Sequence, residues 1–185
     1  MNSITRWLKV GGVSAVVLFV GIQGVATVSI PHAQSATEAA KPAACAAPEH
    51  RQFDFWLGDW DAFDFDNPAT QVARTRVDLI LDGCVLLENY EGADGHKGQS
   101  FSVYDASRKV WHQSWVTNRG EVLVIEGKFE AGEMVLSGID HAKAGQPMVR
   151  GEWKPMTGGV RETAVTSTDG GKTWQPWFDL VFRPH

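Results

Sequence analysis

From Trp60 to the end of the chain, short runs of strand-forming residues alternate with turn residues such as Asp82-Gly83 and Gly170-Gly171. Helical periodicity is almost absent over this stretch, so the pattern predicts an all-β domain with short connections. The predicted strands cover residues 60–65, 71–81, 84–90, 99–104, 110–116, 121–129, 133–138, 148–154, 160–166 and 174–183.

About ten strands in one small sheet would leave exposed edges, and closure of the sheet removes them. We therefore predict an antiparallel up-and-down β-barrel of about ten strands. A sandwich of two sheets is the alternative, and it needs longer crossovers than this chain shows. One short helix is predicted over residues 49–57, just before Gly58.

Four aromatic residues, Phe53, Phe55, Trp56 and Trp60, lie close together where the strand pattern begins. Gly58 has no Cβ, so the backbone can turn sharply and Trp60 can bury its ring at one end of the barrel. The motif therefore indicates a fold and not a catalytic site. We expect the first three rings to form a lid at the end closed by Trp60, and a ligand to enter at the other end.

Residues 1–35 have the pattern of a secretory signal peptide. Arg6 and Lys9 form a basic start, residues 10–30 are nearly uncharged, and Ala33-Gln34-Ser35 offers a cleavage site. An uncleaved membrane anchor is the alternative. We predict that residues 36–48 form a flexible linker and that residues 49–185 form a single barrel domain. We expect a periplasmic or secreted protein with no stable membrane insertion after signal cleavage.

The net charge limits the possible partners of this chain, and its cysteines predict a disulfide. The formal net charge is −5 and no basic stripe is present, so we expect no nucleic-acid partner. Cys45 and Cys84 are the two cysteines, and in an exported chain we expect them to form a disulfide. Lipid modification of Cys45 is the alternative, although Pro42-Ala43-Ala44 lacks the large aliphatic residue of such sites.

With Gly58-Asp59-Trp60 opening the first strand and Arg183 near the end of the last, the chain resembles the calycin superfamily of lipocalins and fatty-acid-binding proteins. The resemblance implies that Trp60 stacks on Arg183 and closes one barrel end, a cation–π contact of about 1–2 kcal/mol. The alternation of side chains along the last predicted strand argues against this contact. If Phe178, Leu180 and Phe182 point inward, Arg183 points outward unless a bulge intervenes.

The chain is most similar in pattern to a group of uncharacterised secreted bacterial lipocalin-like proteins. The shared motifs are residues 53–60, Gly83-Cys84, Tyr104-Asp105, residues 111–116 and residues 169–174. The resemblance covers nearly the whole mature chain and implies a barrel, but no established activity. The glycines that follow the Trp in nitrobindin-like haem proteins are replaced by Asp61-Ala62-Phe63, so we expect no cofactor.

The chemistry-bearing residues form no recognised catalytic or metal motif, so no catalytic residue and no metal site is predicted. The histidines lack metal-ligand spacing, and His112, between two tryptophans, would matter only as a haem ligand. Residues 167–174 match a single Asp-box, which we interpret as a hairpin turn. The predicted cavity-lining residues are Glu88, Gln113, Trp115, Trp153 and Arg161.

The leading functional hypothesis is an exported barrel that binds a hydrophobic or amphipathic small molecule, because the chain is rich in tryptophan. A structural or interaction domain with a solid core is the first alternative. A haem-dependent envelope enzyme that uses His112 is the second. The volume of the barrel cavity and the charge of its lining distinguish these hypotheses.

Overall fold

The computed structural model describes residues 45–141 and 143–185, which contain a closed barrel of ten antiparallel strands. The predicted signal peptide and most of the predicted linker lie outside the described residues. The strands are β1 Gly58–Asp64, β2 Gln71–Ile80, β3 Val85–Gly92, β4 Lys97–Asp105, β5 Val110–Thr117, β6 Val122–Glu130, β7 Glu133–Ile139, β8 Met148–Met156, β9 Gly159–Ser167 and β10 Gln175–Pro184.

Each strand pairs with its neighbours in sequence, and β10 returns to pair with β1. The closing register runs from Trp60 opposite Pro184 to Asp64 opposite Leu180. The up-and-down barrel predicted from the turn spacing is therefore confirmed, and the ladder has no free edge. In this topology all odd-numbered strands begin at the same end of the barrel.

Two short 3₁₀ helices, Pro48–Arg51 and Asp54–Trp56, precede β1 where a short helix was predicted. Gly58 follows with φ of +150°, in a region that favours glycine, and a Cβ there would lie 2.9 Å from the Trp60 ring. The Gly-x-Trp motif therefore lets the chain turn into β1 while the indole packs on the glycine.

Residues 48–57, here called the plug, fill the end of the barrel where the odd-numbered strands begin. Phe53 is fully buried, with its ring centroid 5.7 Å from that of Trp111 and 5.6 Å from that of Trp153. Trp56 stacks on Trp60 at 5.9 Å and meets Phe182 edge-on at 4.6 Å. The aromatic motif therefore forms the core of this end and does not merely cover it.

The expected contact between Trp60 and Arg183 is corrected by the structure. The Trp60 indole nitrogen donates to the Trp56 carbonyl at 3.0 Å, whereas the Arg183 guanidinium lies 4.6 Å from the Phe63 ring centre. Phe182 is buried, and Arg183 on the opposite face is exposed. Side chains alternate between the two faces of β10, which keeps Arg183 outside the barrel. Trp56 therefore occupies the position against Trp60 that the resemblance assigned to Arg183.

Cys45 and Cys84 form a disulfide, as predicted. The bridge joins the chain before the plug to the β2–β3 turn, and the Arg51 guanidinium also donates to the Gly83 carbonyl there. A disulfide of this kind is typical of proteins in oxidising, exported environments. In the two described segments, no helix has the length and apolar character needed to cross a membrane.

Candidate functional site

A cavity of about 380 Å³ lies inside the barrel, between the middle of the strands and the end opposite the plug. We call that end the mouth; β2, β4, β6, β8 and β10 begin there. Trp153 and Glu162 lie deepest, and the half-exposed Trp177 lies at the mouth. The full lining is Val72, Glu88, Tyr90, His96, Gln113, Trp115, Leu123, Ile125, Val149, Gly151, Trp153, Glu162, Ala164, Trp177, Phe178 and Leu180.

Two tryptophan rings of the cavity wall are accommodated by glycines. A Cβ on Gly98 would lie 2.2 Å from the Trp115 ring, and one on Gly151 would lie 2.9 Å from the Trp153 ring. Because neither glycine has a side chain, both indoles can lie flat against the neighbouring backbone. The space that a side chain at either glycine would need is occupied by a tryptophan ring.

One polar group on the wall is the Glu88 carboxyl, which is only 9% exposed. The Thr75 hydroxyl lies 3.1 Å from one of its oxygens, and the Ser100 hydroxyl donates to the other at 2.8 Å. These three side chains are on adjacent strands β2, β3 and β4, so the sheet register brings them together. Burial nevertheless outweighs these hydrogen bonds and raises the pKa of Glu88.

A second carboxyl, that of Glu162 on β9, faces the same cavity. In register, Glu162 lies between Trp153 of β8 and Leu180 of β10, both of which also line the cavity. Its accessible surface is therefore cavity surface. Burial raises the pKa of Glu162 well above its ordinary value, the nearby Glu88 raises it further, and a hydrogen bond from the Trp153 side chain opposes both effects. Glu162 therefore holds its proton to higher pH than an ordinary glutamate does.

Tyr90, His96 and Trp115 form an aromatic group toward the mouth. The Tyr90 ring is 5.8 Å from Trp115 and 6.0 Å from His96, both in edge-on geometry. Burial, together with Glu162 and other negative groups, raises the pKa of Tyr90 to about 12. Its phenol is therefore protonated at neutral pH and can donate a hydrogen bond.

Gln113 adds a neutral polar group at mid-depth. It is 5% exposed, and its amide nitrogen donates to the Ser102 hydroxyl at 3.0 Å. Among the described residues no donor engages its carbonyl oxygen, so this oxygen can accept a hydrogen bond from a ligand. Buried polar groups with spare hydrogen-bonding capacity are typical of sites that orient a ligand.

Four of the five predicted lining residues, Glu88, Gln113, Trp115 and Trp153, are placed on the cavity wall. Arg161 is not. Its guanidinium binds the Asp179 carboxylate at 2.9 Å and covers the Phe65 ring on the outer face. One position along the strand reverses the direction of the side chain, so β9 contributes the next residue, Glu162, to the cavity.

His112 is also on the outer face of the barrel. Its two ring nitrogens lie 2.8 Å from the Glu126 carboxylate and 2.8 Å from the Ser114 hydroxyl. The residue that would serve as a haem ligand is therefore separated from the cavity by the sheet. Within residues 45–141 and 143–185, no group of three or more His, Cys, Asp or Glu side chains is arranged to hold a metal ion.

Sequence reasoning missed Glu162, Tyr90 and His96. Glu162 shares a strand face with Val160 and Ala164, which are buried, but the opposite face of β9 also carries an apolar residue, so the sequence did not decide between the two faces. His96 lies between β3 and β4, where no period of two applies. Its placement depends on the turn that brings it against Tyr90 and Trp115.

The Asp-box forms the β9–β10 connection, as a turn. The Asp169 carboxylate accepts hydrogen bonds from the backbone of Lys172 and Thr173, and from the hydroxyls of Ser167 and Thr173. These bonds lower the pKa of Asp169 to about 2. The motif closes a hairpin at the mouth and leaves its carboxylate fully engaged.

No protein-family model matches this chain, and no curated protein is significantly similar to it. The cavity is therefore the feature of the molecule from which a function can be inferred.

Proposed function

We propose that this protein is an exported β-barrel that binds a small hydrophobic or amphipathic molecule in its cavity. The observation that carries the proposal is the space of about 380 Å³ enclosed within the closed barrel. Its wall is mainly aromatic and aliphatic, with a few polar groups at fixed positions, which is the usual composition of small-molecule sites. The volume equals that of about a dozen water molecules, which suits a ligand of similar heavy-atom count.

The distribution of packing favours this function over a solid structural core. Small barrels are commonly filled by their own side chains. Here Phe53, Trp56 and Trp111 fill the plugged end, whereas small residues such as Gly151 and Ala164 line the other half. The position of His112 outside the barrel removes the residue on which the haem hypothesis depended.

We further propose export to the periplasm or medium, supported by the disulfide and by the signal-like pattern of residues 1–35. A relationship to secreted lipocalin-like proteins is proposed on the motif order described above. Both proposals agree with a barrel that meets its ligand outside the cytoplasm.

Native mass spectrometry of the protein purified from its own host, without refolding, tests the binding function. We expect a non-covalent adduct with the mass of a small molecule. Ala164→Phe places a ring in the cavity and should abolish the adduct. Val165→Phe introduces the same ring one residue further along β9, on the outer face. This variant should retain the adduct.

Circular dichroism and thermal melting of both variants establish that they remain folded. Should the native protein carry no adduct and take up no phenylbutanol, a neutral apolar probe of suitable size, the binding function is refuted. The same conclusion follows if both variants bind as the native protein does.

A further inference from the structure

The cavity lining has an unusual charge composition. Among the described residues it contains two glutamates, Glu88 and Glu162, and no lysine or arginine. The nearby basic side chains Lys154 and Arg161 point outward and form ion pairs with Glu133 and Asp179. The two carboxyls therefore share an enclosed space without a protein cation to neutralise them.

Placing two carboxyls in such a space is energetically costly. A buried charge ordinarily requires a partner charge or complete hydrogen bonding, and otherwise the group is neutralised by a proton. Glu88 is held by two hydroxyls, but Glu162 has Trp153 as its hydrogen-bond donor, which leaves other acceptor positions of the carboxyl unused. Apolar residues of similar size would fill this position at lower cost, so the pair is better explained by a ligand than by stability.

The aromatic residues around the carboxyls offer complementary chemistry. Tyr90, Trp115 and Trp153 line the same cavity. The faces of such rings attract cations, most strongly where water is excluded. Leu123, Ile125 and Leu180 supply an apolar surface for the rest of a ligand.

We propose that the cavity binds an organic cation, a protonated amine with an apolar body, and that Glu162 together with Glu88 holds its ammonium group among the aromatic rings. This proposal rests on the proposed function, because it specifies the ligand class of the same cavity. The ammonium donates hydrogen bonds to the free carboxylate positions and to the Gln113 carbonyl, while the body of the ligand extends toward the mouth.

Binding of a cation is coupled to loss of a proton. The pKa of Glu162 is raised in the empty cavity, and the titratable groups that share the cavity with it are Glu88, Tyr90 and His96. An ammonium group favours the carboxylate form and lowers this pKa, so entry of the cation releases protons to the solvent at pH values within the shifted range. A neutral or anionic ligand does not stabilise the carboxylate form of Glu162, so its binding should release no protons.

Isothermal titration calorimetry with three probes of matched shape tests the proposal: phenylbutylamine, phenylbutanol and phenylbutyrate. Each titration is repeated in two buffers with different ionisation enthalpies, which reports the protons released. We expect the amine to bind about tenfold or more tighter than the alcohol, the carboxylate to bind weakest, and the amine alone to release protons.

Glu162→Gln keeps the shape of the side chain and removes its charge. This variant should lower the affinity for the amine about tenfold and abolish proton release, and its effect on the affinity for the amine should be several-fold larger than its effect on the affinity for the alcohol. The matched control is Glu152→Gln on the outer face of β8, whose carboxylate pairs with Arg150 at 3.1 Å. The control should bind all three probes as the native protein does.

The outcomes separate this inference from the proposed function. If the alcohol or the carboxylate binds as tightly as the amine, the cation inference is overturned and the binding barrel stands. If Glu152→Gln weakens amine binding as much as Glu162→Gln, the attraction is that of the acidic surface and the inference also fails. Binding of none of the probes, together with no adduct on the host-derived protein, overturns both.

Discussion

Replacing Phe53 with alanine tests whether the plug is part of the barrel core. The Phe53 side chain is fully buried and packs edge-on against Trp111 and Trp153, which come from β5 and β8. Truncation of a buried phenylalanine costs about 3–5 kcal/mol through lost transfer energy and the cavity that remains. We place Phe53→Ala in the upper part of this range, because strands on two sides of the barrel limit the collapse of the cavity.

The assay is urea unfolding with the disulfide intact, followed by tryptophan fluorescence and by circular dichroism. Thermal unfolding of the same variant should show a decrease in melting temperature of about 10–20 °C for a domain of about 140 residues. The two probes should give coincident transitions, since a plug that belongs to the core unfolds together with the strands.

Phe65→Ala is the matched control. Phe65 is 41% exposed and lies under the Arg161 guanidinium on the outer face, so the same substitution should cost less than about 1 kcal/mol. The reasoning is refuted if Phe53→Ala costs no more than this control. The plug would then be a detachable lid, and this end of the barrel would be a second route to the cavity.

Two further predictions concern the disulfide and the cavity residue Glu162. Replacement of both Cys45 and Cys84 with serine should lower the free energy of unfolding by about 4 kcal/mol in the chain-entropy model, because the bridge joins residues 39 positions apart; an unchanged urea midpoint would contradict this. The folded-state pKa of Glu162 lies above its ordinary value of 4.5, so the folded protein binds more protons and loses stability as pH rises from that value through the folded pKa. Glu162→Gln lacks this loss and should gain stability relative to the native protein by about 1.4 kcal/mol for each pH unit in that window. Parallel stability curves for the two proteins would show that the pKa is not raised.

The barrel could be predicted from the sequence because its signals are local. Turn residues mark the end of each strand, and the alternation along β5 is sufficient to place Gln113 and Trp115 on one face. The resemblance was less informative than this alternation at the barrel end. It paired Trp60 with Arg183, whereas the period of two placed the arginine outside, where it lies.

The lining of β9 shows why the candidate site was only partly predictable. Both faces of this strand carry apolar residues, Val160 and Ala164 on one and Val165 on the other, so the sequence alone left its direction open. A change of one residue in register exchanges the two faces of a strand. Naming Arg161 as a lining residue was an error of this kind, because Arg161 is an outward ion-pair partner and its neighbour Glu162 lines the cavity.

Strand β5 shows how one barrel combines a solid half and a hollow half. Near its start Trp111 packs against Phe53, and its indole nitrogen donates to the Gln52 side chain at 3.2 Å, so this ring is committed to the plug. Four residues later on the same face, Trp115 packs against Gly98 and forms part of the cavity wall. Gln113 lies between them with its carbonyl oxygen available to a ligand. The plug thus supplies packing that stabilises the closed barrel, while the other half keeps a cavity with two carboxyls on its wall.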